Sequence, residues 1–257
     1  MADPRVEKLA EVLVDYSVAV CPGDKVLVEG TSLAEPLLKA VYARVLQAGG
    51  HPLMHVSPPG MDELLFRHAS DEQLGYVHQP RKLILETYDV RISIGGDANT
   101  RALTGVDPGK MVLHEQAHTE LIRVFMRRSA AGELRWTVAL FPTNAYAQDA
   151  EMSLSEYEDF AYGACLPDMD DPVGYWRRFS TRQGTFVNWL KGKERVHVIG
   201  PGTDLQLSIA GRAFVNCDGH YNMPDGEIFT GPLEDSVEGH AYFSYPAVEG
   251  GREVVGV

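Results

Sequence analysis

The segment Asn222-Met223-Pro224-Asp225-Gly226-Glu227-Ile228-Phe229-Thr230-Gly231-Pro232 sets one carboxylate, Glu227, at the exit of a tight turn. Pro224 presets its own φ, and Asp225-Gly226 is a strong turn dipeptide. Ile228 to Thr230 is β-branched and aromatic as a strand requires, and Gly231-Pro232 ends it. Taken alone, the segment reads as a hairpin with a solvated acid at its base. A second candidate is His114-Glu115-Gln116-Ala117-His118, the H-E-x-x-H pattern in which two histidines one helical turn apart bind zinc and the glutamate acts as general base. Here Thr119 to Arg123 supplies neither a glycine turn nor a further histidine, and a zinc site would need a third ligand.

Weaker signals are weighed the same way. Ile94-Gly95-Gly96-Asp97 has glycines that could let backbone N–H groups approach a phosphate, but it lacks the full glycine fingerprint and the lysine of a P-loop. Asp97 would also repel an anion, so a strand-to-loop turn is the simpler reading. No Gly-x-Ser-x-Gly occurs. His220, Tyr221 and His240 flank the Glu227 turn as conceivable ligands or proton donors, although a histidine in such a segment is more often packed or solvated. Glu234, Asp235 and Glu238 read as a solvated acidic face that could attract an α-ammonium group.

The elements that must position these residues fall into two parts. Asp3-Pro4 opens an amphipathic helix carrying Val6, Leu9, Ala10, Leu13 and Tyr16. Strands at 25–29, 52–56, 90–94 and 135–140 then alternate with helices beginning near Ser32, Asp62 and Lys110, a pattern that favours a parallel sheet covered by helices on both faces, as in Rossmann-like α/β folds. Two connecting helices follow. One starts behind the Ser153/Glu156 capping box and one behind Asp171-Pro172. After Lys193 the chain changes to short β runs at 195–199, 205–209, 213–216, 227–230 and 237–245, with Pro201-Gly202 as a hairpin turn. The expected division is an α/β domain over 1–193 and a β-rich, incomplete second domain over 194–257.

Composition narrows the function classes. Within 257 residues, 23 basic against 36 acidic side chains give a formal charge of −13 with no long basic cluster, so nucleic acid and anionic membrane are not expected partners. The apolar fraction of 44% suits a folded core, and no apolar run approaches the roughly 20 residues needed to span a bilayer. Cys21, Cys165 and Cys217 are odd in number and far apart, which suggests neither a disulfide framework nor a Cys-x-x-Cys metal site. With a start that lacks the layout of a signal peptide, this composition points to a cytoplasmic protein.

From Val196 to Gly239 the order Val-His-Val-Ile-Gly-Pro-Gly-Thr-Asp-Leu-Gln-Leu, Gly211-Arg212, Asp218-Gly219, the Glu227 turn and Pro232-Leu-Glu-Asp-Ser-Val-Glu-Gly resembles the aminopeptidase T and aminopeptidase S family of metallopeptidases, the thermophilic metalloproteases. Upstream, Phe141-Pro142-Thr143, Ala147 to Ala150, Ser153 to Phe160, Cys165 and Asp171-Pro172 fit the same family, so the likeness covers essentially the whole chain. The resemblance implies a peptidase that removes amino-terminal residues from peptides with a pair of divalent ions, cobalt or zinc among them, held by Glu, His and Asp ligands. It also implies a homodimer that encloses its active sites. Glu227 matches the first of those ligands, and the resemblance sets the helix with His114 and His118 apart from the metals. The remaining ligands are expected beyond Val257, which makes this chain the amino-terminal portion of the pattern. The alternative expectation is a non-catalytic α/β module, since one carboxylate cannot build a two-metal site. The run Glu253 to Val257 is expected to be a strand in need of a partner.

Overall fold

The computed structural model describes residues 3–243, Tyr245, 247–249 and 252–254. The first helix, α1 (Pro4–Val12), begins where Asp3 accepts a hydrogen bond from the Arg5 amide, with proline at a position whose missing N–H costs nothing. It runs on into a wider turn, Leu13–Ser17, that buries Tyr16. Strand β1 (Lys25–Thr31), helix α2 (Glu35–Gln47) and strand β2 (His51–Ser57) form the expected βαβ unit. Helices α3 (Met61–His68), α4 (Asp71–Leu74) and α5 (Gln79–Thr87) lead to β3 (Val90–Gly95), and α6 (Pro108–Ala130) leads to β4 (Arg135–Leu140). Three more helices follow, α7 (Asn144–Asp149), α8 (Leu154–Cys165) and α9 (Pro172–Leu190). The capping box at Ser153 and Glu156 and the Asp171 cap both form as read.

The strands after α9 are β5 (Arg195–Gly200), β6 (Thr203–Ser208), β7 (Val215–Cys217), β8 (Asn222–Met223), β9 (Glu227–Phe229) and β10 (Glu238–His240), followed by β11 (Ala247–Glu249) and β12 (Arg252–Val254). Pro201-Gly202 is the two-residue turn of the β5–β6 hairpin, and β10 pairs with β6 to complete a three-stranded sheet. The long strand expected over 237–245 is realised only as β10, and Ser244 lies outside the described residues. Of the expected terminal run, Glu253 and Val254 sit in β12 with β11 as antiparallel partner, and 255–257 lie outside the described residues.

The main sheet has the order β2-β1-β3-β4-β8, every pair parallel. Its fifth strand was not legible as one: Asn222–Met223 belongs to the segment after residue 193, yet it pairs with Val138 and Ala139 of β4. The late part of the chain therefore returns to the edge of the early sheet. One face of the sheet carries Val26, Val28, Val90, Ile92, Ile94 and Ala139, all buried beneath α1 and α2 and joined by Trp176 of α9. The opposite face is more polar. There Arg91 ion-pairs with Glu29 at 2.5 Å, Ser93 donates to the same carboxylate, and the Arg91 guanidinium stacks over Phe125 of α6. Helices thus cover both faces, as expected for the α/β class.

Packing leaves little slack at the centre. A Cβ at Gly30 would meet the Ile94 carbonyl oxygen at 2.4 Å, so the close approach of β1 and β3 requires glycine there. Leu37, at 0% exposure, fills the space between α2 and the sheet. Leu37→Ala should cost about 2–5 kcal/mol, the range for opening a cavity in a well-packed core. Urea denaturation of the variant beside the parent checks this, with an unchanged slope expected.

Candidate functional site

Glu227 opens β9 and faces Cys217 across the β7–β9 pair, so the sequence located its turn and strand correctly. Its backbone is pinned from the side: the buried Gln183 of α9 donates from Nε2 to the carbonyls of Cys217 and Glu227, each at 2.9 Å. The preceding turn is tied by Asp225, which accepts from the Gly226 amide at 2.9 Å and from the Gly219 amide at 3.4 Å. Gly226 adopts φ +149, a conformation only glycine takes readily. The Glu227 residue itself is exposed. A solvent-facing carboxylate on a fixed backbone is a fitting oxygen donor for a divalent ion.

Beside it lies a buried network that the sequence did not announce. Asp218, 6% exposed, accepts from His220 Nδ1 at 2.6 Å with one oxygen and from Ser180 and Asn216 with the other. Tyr16 donates its hydroxyl to the Asp218 carbonyl at 2.9 Å and lies 4.6 Å, ring to ring, from His220. Burial by itself raises the Asp218 pKa, but the hydrogen bonds from His220 and Ser180 outweigh it, and the carboxyl is held below its ordinary value. An ionised Asp218 fixes the His220 proton on Nδ1 and leaves Nε2 turned away from it. The Cys217 thiol is pushed up, first by burial and then by Asp225 and Glu227, so it stays a thiol. Ser180 and Tyr16 are 38 and 202 residues from Asp218, and no spacing rule connects them. Only the two-residue step from Asp218 to His220 was local enough to notice.

The other candidates separate. On α6, His118 directs Nδ1 to the His114 carbonyl at 2.7 Å, and the two imidazoles lie 4.1 Å apart. His114 rests edge-on against Phe66 at 5.6 Å. Its pKa is lowered, first by burial and then by the neighbouring His118. Glu115 is exposed. His240 opposes Asp204 at the end of the β10–β6 pair, and the Tyr221 ring lies tilted against Trp136 at 5.2 Å. Glu234 ion-pairs with Arg212 at 2.7 Å, while Asp235 and Glu238 are exposed. Among the described residues no group of three or more His, Cys, Asp or Glu side chains converges as a metal site would require, either at Glu227 or on α6.

Over residues 2–257 the sequence matches the family described as thermophilic metalloprotease (M29). The chain belongs to that family. It is 22% identical to aminopeptidase 2 of Geobacillus stearothermophilus, a match that covers 99% of this chain and 67% of that protein. Aminopeptidase T of Thermus thermophilus is also 22% identical, with 98% of this chain and 67% of the relative covered. The solved wild-type AmpT from Thermus thermophilus superposes with a TM-score of 0.81 at 20% identity, again over 98% of this chain and 67% of that one, which establishes the shared fold. This M29 chain thus spans about two thirds of the length of these relatives. Membership makes it a peptidase-family protein whose chemistry calls for a divalent metal. The described residues do not bring together a complete ligand set for such a metal.

Two outcomes follow from this geometry. Replacing both His114 and His118 by Ala should leave the metal content of the folded protein unchanged, as read by elemental analysis after dialysis; stoichiometric loss would identify a zinc site on α6. Asp218→Asn should lower stability by about 1–3 kcal/mol at neutral pH, because it weakens charge-assisted hydrogen bonds in a buried place. Since the folded pKa of Asp218 is depressed, its contribution is present above the unfolded value, about 3.9, and is lost as pH falls through the folded one. The difference between parent and variant in urea midpoint should therefore shrink from pH 6 toward pH 2.

Proposed function

We propose that this protein is a metal-dependent aminopeptidase that hydrolyses the amino-terminal residue from peptides, and that Glu227 is one of its metal ligands. What supports the reading is the family match along the chain together with the placement of Glu227, an exposed carboxylate whose backbone Gln183 and Asp225 hold still. An aminopeptidase of this kind would take two divalent ions, with cobalt and zinc as the favoured candidates, since carboxylate and imidazole ligands suit both. The three cysteines are free and Cys165 is buried, which agrees with a reducing cytoplasm; no described helix is long and apolar enough to cross a membrane. The partner is a peptide, with neither nucleic acid nor membrane involved, and the assembly is a homodimer. We place the boundary between an α/β domain and a β-rich metal-binding catalytic domain near residue 193, with β8 as the strand through which the second part grips the first.

What this chain's own residues contribute can be stated without the metal. Gln183 fixes the register of β9 against β7, Asp225 and Gly226 shape the turn, and Glu227 presents negative charge at its exit. A second reading, a folded module with no peptidase activity of its own, is favoured by the lack of a converging three-ligand group among the described residues.

Glu227→Gln decides between them. The amide keeps the side chain's size but removes the charge that an oxygen ligand supplies to a divalent ion. The expected result is at least a tenfold loss of cobalt or zinc affinity by titration, loss of hydrolysis of amino-acyl nitroanilides, and a thermal midpoint within a few degrees of the parent. Metal binding that depends on Glu227 without any turnover in the parent would favour the module, and normal metal binding in the variant would remove Glu227 from the ligand set.

A further inference from the structure

The three-stranded sheet β10-β6-β5 carries side chains able to ligate a metal on elements that neither the Glu227 turn nor the helix with His114 and His118 uses. Its register decides which residues share a face. Asp204 of the central strand β6 lies directly opposite Ile199 of β5 and His240 of β10, and His197 of β5 lies opposite Gln206, which in turn faces Glu238. Directly opposed residues of antiparallel strands point to the same side of a sheet, and so do residues two apart on one strand. His197, Asp204, Glu238 and His240 therefore stand together on one face, and all four are exposed. The alternate residues Val196, Leu205 and Leu207 are half-buried on the other face.

The set is already partly assembled. His197 Nε2 lies 2.7 Å from Asp204 Oδ1, a contact that spans β5 and β6 diagonally. On the other side of Asp204, Gly239 closes the gap: a Cβ there would run into the Asp204 carbonyl oxygen, so β10 comes as near to β6 as glycine permits. The approach to β10 is tied to the far end of β6, where the Ser208 amide donates to Ser236 Oγ at 2.9 Å and the Leu233 amide donates to the Ser208 carbonyl at 2.8 Å. With neighbouring strands about 4.8 Å apart, two imidazoles flank one carboxylate from the strands on either side.

Two imidazoles and a carboxylate are the donor types of borderline divalent ions, zinc and nickel among them, whereas calcium and magnesium favour oxygen alone. A carboxylate hydrogen-bonded to a histidine is also the usual neighbour of a metal-bound imidazole. Among the described residues no three such groups enclose a cation as their side chains stand. His240 is exposed, so turning it between staggered rotamers toward Asp204 costs little packing. We propose that His197, Asp204 and His240 form a surface site for one divalent ion of the zinc and nickel class, with water completing the coordination and Glu238 adding negative charge at its edge. A bound ion cross-links β5, β6 and β10, so the site acts on the stability of this sheet.

The test is a calorimetric titration of the whole chain with zinc chloride and, separately, nickel chloride, carried out on the parent and on Glu227→Gln so that metal drawn by that carboxylate is counted apart. Both proteins should show one saturable site that does not depend on Glu227, weakened at least tenfold by His197→Gln/His240→Gln and several-fold by Asp204→Asn. Zinc should raise the thermal midpoint of the parent and not that of the double histidine variant. The substituted side chains are exposed, so the metal-free variants should keep the parent's circular dichroism. In NMR spectra of the imidazole protons of Glu227→Gln, paramagnetic nickel should broaden His197 and His240 together at one equivalent. Broadening of one of them alone, equal affinity in the double histidine variant, or no saturable site in Glu227→Gln would each overturn the proposal. Because the site is read in Glu227→Gln, its presence or absence there is independent of the peptidase reading.

Discussion

The buried carboxylate of Asp218 fastens the late part of this chain to its beginning. It takes hydrogen bonds from His220, Ser180 and Asn216, while its own carbonyl receives the Tyr16 hydroxyl from the first helical segment. A charge that deep would be strongly unfavourable without partners, and here each oxygen has at least one. The consequence is geometric. With residues 216–220 held against α9 and the wide turn after α1, Asn222 and Met223 reach the edge of β4, and the hairpin carrying Glu227 starts from a fixed base. The wide turn at Leu13–Ser17 matters for the same reason, since it belongs to the segment that presents Tyr16.

How much of this could be read in the sequence depended on range. Helix starts that rest on local chemistry, Asp3-Pro4, Ser153 with Glu156 and Asp171-Pro172, lie where their caps put them, because a cap satisfies backbone donors two or three residues away. Strands with unbroken apolar or alternating character, such as Arg135–Leu140, were equally plain. Asn222–Met223 was not. A two-residue strand has no periodicity, and it exists only because β4 offers an unpaired edge and Asp218 brings the chain to it.

The candidate residues divide along the same line. The Glu227 turn was legible because proline, aspartate and glycine act on their immediate neighbours. The H-E-x-x-H pattern was legible too, and its lack of a third ligand argued against a zinc site; α6 turns His118 onto its own helix carbonyl and His114 onto Phe66. Two side chains one turn apart are necessary for such a site, but the third ligand is a matter of tertiary placement that five letters cannot carry. The strand order β2-β1-β3-β4-β8 was the least legible feature, since it is decided by connections far apart in sequence.

Glu227 illustrates how an exposed residue can be positioned without being packed. Its side chain is exposed, so side-chain contacts do not hold it, and its precision comes from the backbone: Gln183 grips its carbonyl together with that of Cys217. A residue held this way leaves its carboxylate facing solvent while losing the freedom of its main chain. That arrangement suits a group whose partner must exchange with solvent or be added after folding, because binding then pays only for the ordering of one side chain. The −13 charge of the chain works in favour of any cation that approaches this exposed face.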